Sequence, residues 1–350
     1  MARMFLLRSF AVLFALALVL QTLDLLGESG NVLAHKGNGS AQLWTYFFLR
    51  FPQIVAFLLP FSILLGTLIT LATLNQNSEV ISMKAAGLSA HQVLAPLIVA
   101  AFGVALLSFA FNDRIVSRAS ATLDRWQRAE YGPIPVDRKS QDNVWVRDGD
   151  HLIHAGTVTG RGATTRLSDV TIYNRSGGSL LAIVRAPQAM PLVRGWMLID
   201  ASRFDVARGV ETRLGNIRFG TGVRPDQFTL ANVRAEGVSF LGLWQAIRDL
   251  REAGRPTSTL EAGLWHKLAA PLSTILMPLL AAVAAFGIAR SGRLFVRAVI
   301  GMALGFAYFV ADNFGLAMGN LGAYPPLLAA WGPFFLFLLI GEAVLIQTEE

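Results

Sequence analysis

The chain of 350 residues contains no cysteine. It therefore has no disulfide framework and no thiolate metal site. Charge is scarce as well: Asp, Glu, Lys and Arg supply 15 % of the residues, against about a quarter in soluble domains. Lysine is nearly missing, with four residues beside 26 arginines. No Gly-x-x-x-x-Gly-Lys-Ser/Thr loop is present, so the chain has no phosphate cradle of its own for ATP. No Ser/His/Asp set and no pair of carboxylates stands out as catalytic, and no cofactor is expected. What the chain has in plenty is apolar: 53 % hydrophobic residues and a mean hydropathy of +0.50. That composition excludes a disordered protein and argues against a wholly soluble enzyme. In this setting a net charge of +7 suits acidic lipid better than nucleic acid.

A helix needs about 20 mostly apolar residues to cross a bilayer. Six stretches qualify: Phe5 to Leu26, Ile54 to Leu74, Val93 to Phe111, Leu268 to Ile288, Val296 to Leu316 and Pro326 to Ile346. The first carries Arg3 and Arg8, as a signal peptide would. The orientation given by the loop charges below argues against cleavage, so it reads as an uncleaved span. With six spans both termini face one side. The short segments on that side carry Arg3, Arg8, Lys84, Arg290, Arg293 and Arg297, whereas the opposite loops carry Lys36 and Arg50. The positive-inside rule then puts the termini in the cytoplasm and the long middle region outside.

That middle region holds most of the arginines. Short alternating or β-branched runs recur in it: Val144–Val146, Leu152–His154, Val170–Tyr173, Leu180–Val184, Trp196–Ile199 and Phe204–Val206. Turn residues such as Asp148-Gly149 and Ser176-Gly177-Gly178 separate them, which predicts a sandwich or an open barrel. Asp113 to Tyr131 reads as a helical extension of the third span, and Ser239 to Ala253 as an amphipathic helix. The expected domains are residues 1–112 with spans one to three, 113–260 with the β-domain and its flanking helices, and 261–350 with spans four to six.

Between spans two and three lies Asn75 to Gln92. Asn77 or Ser78 can cap a helix start, Glu79 suits its first turn, and Gly87 suits its end. Val80, Met83 and Gly87 fall on one face. Taken alone, this is an ordinary capped helix in a loop.

Ser-Glu-Val-Ile-Ser-Met-Lys-Ala-Ala-Gly-Leu-Ser, residues 78–89, resembles the coupling helix of the LptF/LptG family of lipopolysaccharide-export permeases. Leu264-Trp265-His266-Lys267-Leu268, Phe309-Val310-Ala311-Asp312-Asn313-Phe314-Gly315 and Tyr324-Pro325-Pro326 resemble the family's last three spans. Residues 144–149 and 238–265 resemble the LptG branch more than LptF. The resemblance implies a polytopic α-helical protein of the bacterial inner membrane, with six transmembrane helices and an inserted periplasmic β-jellyroll-like domain. It implies a non-catalytic half-permease that pairs with an LptF-like paralogue on a cytoplasmic, LptB-like ATPase dimer. Lipopolysaccharide would leave the inner membrane through the pair and pass to an LptC-like periplasmic bridge. The alternatives are the LptF paralogue, a lipoprotein-type permease, or a membrane-anchored periplasmic ligand-binding or sensor protein.

By this resemblance Glu79, Val80, Met83, Ala86 and Gly87 are the ATPase-coupling residues. Spans one and five would form a lateral gate, which adds weight to the small-residue pairs Ala11/Ala15 and Gly301/Gly305. Gln21, Asp24, Arg297 and Asp312 are polar groups at or within the membrane, expected on the lipid path or in contact with protein. Trp145, Ile153, Ile172, Ile183 and Trp196 are expected to line an apolar interior of the β-domain that takes acyl chains. His151 and His154, three apart on a strand, would point to opposite faces, which argues against a metal site.

Overall fold

A computed structural model describes residues 1–133, 141–160, 162–177, 179–220, 222–225, 228, 234–252, 256–287 and 294–347. Among the described residues, six helices are long and apolar enough to cross a membrane. Spans one and two are α1 (Ala2–Ala34) and α2 (Ser40–Gln76). Then come the short α3 (Glu79–Ala85) and span three, α4 (Ala90–Phe111). A π-turn at Asn112–Val116 carries span three into α5 (Ser117–Arg128). After the β-strands follow α6 (Phe240–Glu252), α7 (Ser258–Ala282), α8 (Leu294–Asn320) and α9 (Pro326–Gln347). Spans four, five and six are α7, α8 and α9.

The helices outrun the apolar windows because their polar ends keep helical hydrogen bonding and find partners of their own. Asp113, in the π-turn, accepts the Phe240 backbone N–H and so caps the start of α6. A capping box at Ser89 and Gln92 starts α4.

Contacts divide the chain into two units. The helical unit comprises Met1–Ile134, Ala235–Ile247 and Pro256–Glu350. Its core is built from Phe5, Leu64, Leu71, Leu94, Leu97 and Leu280 with their neighbours. Span four is its central post, with 78 % of its apolar window buried, against 28 % for span one and 22 % for span five. Spans one and five therefore present most of their surface outward.

The second unit, Pro135–Arg234 with Arg248–Arg255, carries one antiparallel sheet. Its strands are β1 (Gln141–Asp148), β2 (His151–Thr159), β3 (Arg166–Ser176), β4 (Ser179–Pro191), β5 (Trp196–Asp205) and β6 (Val210–Phe219), paired in chain order. One face is apolar and buried, from Val144 and Val146 through Ile153, Ile172 and Val184 to Trp196 and Leu198. A single sheet buries one face by coiling over it. Two expected runs, Trp196–Ile199 and Phe204–Val206, belong to β5 alone, up to its end at Asp205. Asp200, at φ 52°, sits at a shift of register within that strand.

Candidate coupling and transport sites

The helix between spans two and three is seven residues long. Ser78 stands at its head in the left-handed region, φ 59°, and makes no side-chain cap. The expected hydroxyl or Asn77 cap is thus replaced: Asn77 Nδ2 donates instead to Glu79 Oε1 at 3.3 Å. At the other end Gly87 has φ 84°. Its N–H donates to Lys84 O and the Leu88 N–H to Met83 O, which together form a Schellman ending.

Val80, only 3 % exposed, and Met83 pack into the helical core. Two of the five coupling candidates, Val80 buried and Met83 half-buried, therefore pack toward the spans and pin α3 to them. Glu79, Ala86 and Gly87 are exposed. So are Ile81 and Leu88, two large apolar side chains that the sequence reading left out of the site. A nonpolar residue exposed on a short helix beside an acid was the available signal. Where span three starts, His91 Nε2 lies 2.9 Å from Glu342 Oε2 near the end of α9, so the root of α3 is tied to the last span.

At the far end of spans one and two, Asp24 accepts from Arg50 Nε at 3.1 Å and Nη2 at 3.0 Å, and from Tyr46 Oη at 2.7 Å. Arg50 Nη1 also donates to Gln53. Arg50, counted above as a loop charge, is thus a partner of Asp24 within the helix pair. One turn beyond Asp24, Glu28 accepts from Tyr131 Oη. Burial, reinforced by this bond to Glu28, pushes the Tyr131 phenol up to about 12. Gln21 is 1 % exposed and both its amide atoms are buried without a partner among the described residues.

The small-residue pairs divide. Ala11 and Ala15 are exposed. The buried seam of α1 is Phe5, Ser9, Leu13, Ala17 and Gln21, a different face of the same helix. Close approach occurs instead at Ser9, where a Cβ on Gly66 would sit 2.0 Å from Ser9 Oγ. Gly301 and Gly305 do face inward, seated on Leu68 and Leu64 of α2. On α8 Asp312 meets His266 of α7, Oδ2 to Nε2 at 3.0 Å. Arg297 lies on α8, but its side chain falls outside the described set; Arg290 and Arg293 lie outside the described residues.

In the β-unit, Ile153, Ile172 and Trp196 lie on the buried face, each at most 2 % exposed. Trp145 and Ile183 do not. Each stands one residue out of phase with buried neighbours, Val144 and Val146 or Ala182 and Val184, and so points to the opposite face. Trp145 is about half exposed and stacks on Tyr173 at 5.8 Å. His154 bonds Asn143 Oδ1 at 2.9 Å, while His151 Nδ1 accepts from the Arg175 backbone N–H at 3.3 Å. Among the described residues no three His, Cys, Asp or Glu side chains gather as a metal site would require.

Six spans, a sheet inserted after the third and an exposed short helix after the second make a permease-like frame. The family model for "Lipopolysaccharide export system permease LptF/LptG" matches residues 1–347. The chain belongs to the LptF/LptG family. It is similar to the lipopolysaccharide export system permease protein LptG of Escherichia coli K12, at 26 % identity over 313 residues, covering 87 % of this chain and 85 % of that one. It is also similar to LptG of Haemophilus influenzae, at 26 % identity over 87 % of this chain and 86 % of that one. As a family member the chain is a multi-pass permease subunit of the inner membrane.

Proposed function

We propose that this chain is one half of a lipopolysaccharide export permease. It lifts the lipid from the inner membrane when a separate ATPase pulls on α3. The observation that carries this reading is the division of α3 into two faces. Val80 and Met83 bind it to the spans, while Glu79, Ile81, Ala86 and Gly87 stay open for a partner. The Schellman ending and the His91–Glu342 contact support a rigid lever on this side. A carboxylate at an interface can take charge-assisted bonds from a basic groove.

The basic residues Arg3, Arg8 and Lys84 support a cytoplasmic place for α3 and the termini, and hence a periplasmic β-unit. The outward faces of spans one and five support pairing with a paralogous, LptF-like subunit around a lipid cavity. The buried face of the sheet, with Ile153, Ile172 and Trp196, is the path we assign to the acyl chains, on the way to an LptC-like bridge. Those side chains are packed by the protein itself, so an acyl chain must part them.

The test is co-purification of the ATPase with the membrane-inserted chain. Glu79→Lys should lower the ATPase recovered while insertion and yield of the chain persist. Full recovery with the charge reversed would overturn the docking role of α3.

A further inference from the structure

Of the buried polar atoms in the helical unit that lack a partner among the described residues, two lie together on span five. Asp312 uses Oδ2 for His266, but its Oδ1 is buried and unpaired among the described residues. Tyr308, 4 % exposed, has a buried hydroxyl beside the Ser273 hydroxyl but with no partner in full hydrogen-bond geometry among the described residues. The two residues are one turn apart on α8, so their side chains share a face. Across the interface on α7, Ser273 faces Tyr308. Its hydroxyl donates to the Ala270 carbonyl at 2.7 Å and keeps lone pairs free.

Hydrocarbon offers no hydrogen bonds, so stranding a phenol and a carboxylate oxygen in a span is unfavourable. A group that accepts the Tyr308 Oη proton and donates one to Asp312 Oδ1 satisfies both atoms. A metal cation would leave the phenol proton without an acceptor, and an anion is repelled by the carboxylate. Water does both, and a buried water typically makes about three such bonds. We propose that one ordered water binds between spans four and five, held by Tyr308, Asp312 and Ser273.

With that water in place, His266, Asp312, water and Tyr308 form a continuous polar strap from α7 to α8. Elsewhere α8 is seated partly through glycines, with Gly301 and Gly305 against α2 and Gly319 against Ala329 and Ala262, and partly through Phe309 on Phe57 and Phe61. Such contacts fix distance more than height along the helix. The strap supplies the height. If span five is a gate helix, which rests on the function proposed above, His266 is its positioning residue.

The direct test is hydroxyl-radical labelling by X-ray radiolysis, on the complete transporter in lipid nanodiscs and read by mass spectrometry. Radicals arise from water, so a buried tyrosine is labelled only beside one. Tyr308 should be labelled like the exposed Tyr324, and Tyr46, 2 % exposed and bonded to Asp24, should stay silent. Asp312→Leu should reduce Tyr308 to the level of Tyr46. A silent Tyr308 in the wild-type complex overturns the water site, whatever the variant does. The positioning role is read separately. His266→Leu should lower lipopolysaccharide release, and His266→Gln, whose amide can still donate to Asp312, should restore it. Labelling of Tyr308 without any effect of His266→Leu would keep the water and remove the gate.

Discussion

At the scale of single residues, partners decide what the spacing left open. Glu79, Val80 and Ile81 are consecutive, yet only Val80 is buried, because a helix turns about 100° per residue. Family resemblance assigns Val80 and Met83 to coupling; in the structure Val80 is buried and Met83 half-buried against the spans. Ile81 is 64 % exposed. Ile81→Ser should therefore change stability by less than about 0.5 kcal/mol while weakening ATPase assembly; thermal melts and co-purification read the two effects apart. Tyr131 gives a second residue-scale prediction. Its phenol is raised from about 10 to about 12 by burial and by Glu28. A raised group adds stability that is complete below the unfolded value and is lost as pH rises through the folded one. The Tyr131–Glu28 tie should therefore hold at pH 10 and fail as pH approaches 12. Ultraviolet titration, with Tyr131→Phe as the reference, measures this. An ordinary midpoint near 10 would mean that the phenol is neither buried nor bonded to Glu28.

At the scale of elements, what was legible followed from period and composition. Six apolar runs gave six spans, because a single apolar run of that length satisfies its own backbone across lipid only as a helix. Strand β6 was missed because it is polar and exposed along most of its length, so no alternation marks it. The faces of β1 and β4 were missed by one residue, since a slip of one carries every side chain to the other side. This makes a paired prediction. A photo-crosslinker at Ile172 should trap lipopolysaccharide in an ATP-dependent way, and one at Trp145 should not; equal capture at both would contradict an internal path. Helix seams show the same limit. Ala11 and Ala15 have the spacing of a packing motif, but the close contact belongs to Ser9 and Gly66. A methyl at Gly66 would meet the Ser9 backbone, with Cα only 2.7 Å away. Gly66→Ala should therefore cost about 1–3 kcal/mol by overpacking, seen as a lower melting temperature in detergent. Ala11→Leu, on an exposed face, should leave that temperature nearly unchanged.

For the whole molecule, the fold was more legible than the site. The order of three spans, inserted sheet and three spans is written in hydropathy, and the family motifs lie in readable blocks. The polar ties are not. Asp24 with Arg50, His91 with Glu342 and His266 with Asp312 join residues 26, 251 and 46 positions apart, and no periodic pattern announces such pairs. The central claim is that ATP hydrolysed on a partner moves lipopolysaccharide through this chain by way of α3. The most direct measurement is ATP-dependent transfer of lipopolysaccharide from proteoliposomes holding the complete transporter to a soluble periplasmic acceptor, with wild-type chain and with Glu79→Lys. The expected result is transfer that needs ATP in the wild type and falls sharply in the variant at equal insertion. Transfer that proceeds equally without ATP, or is unchanged by the variant, would contradict it.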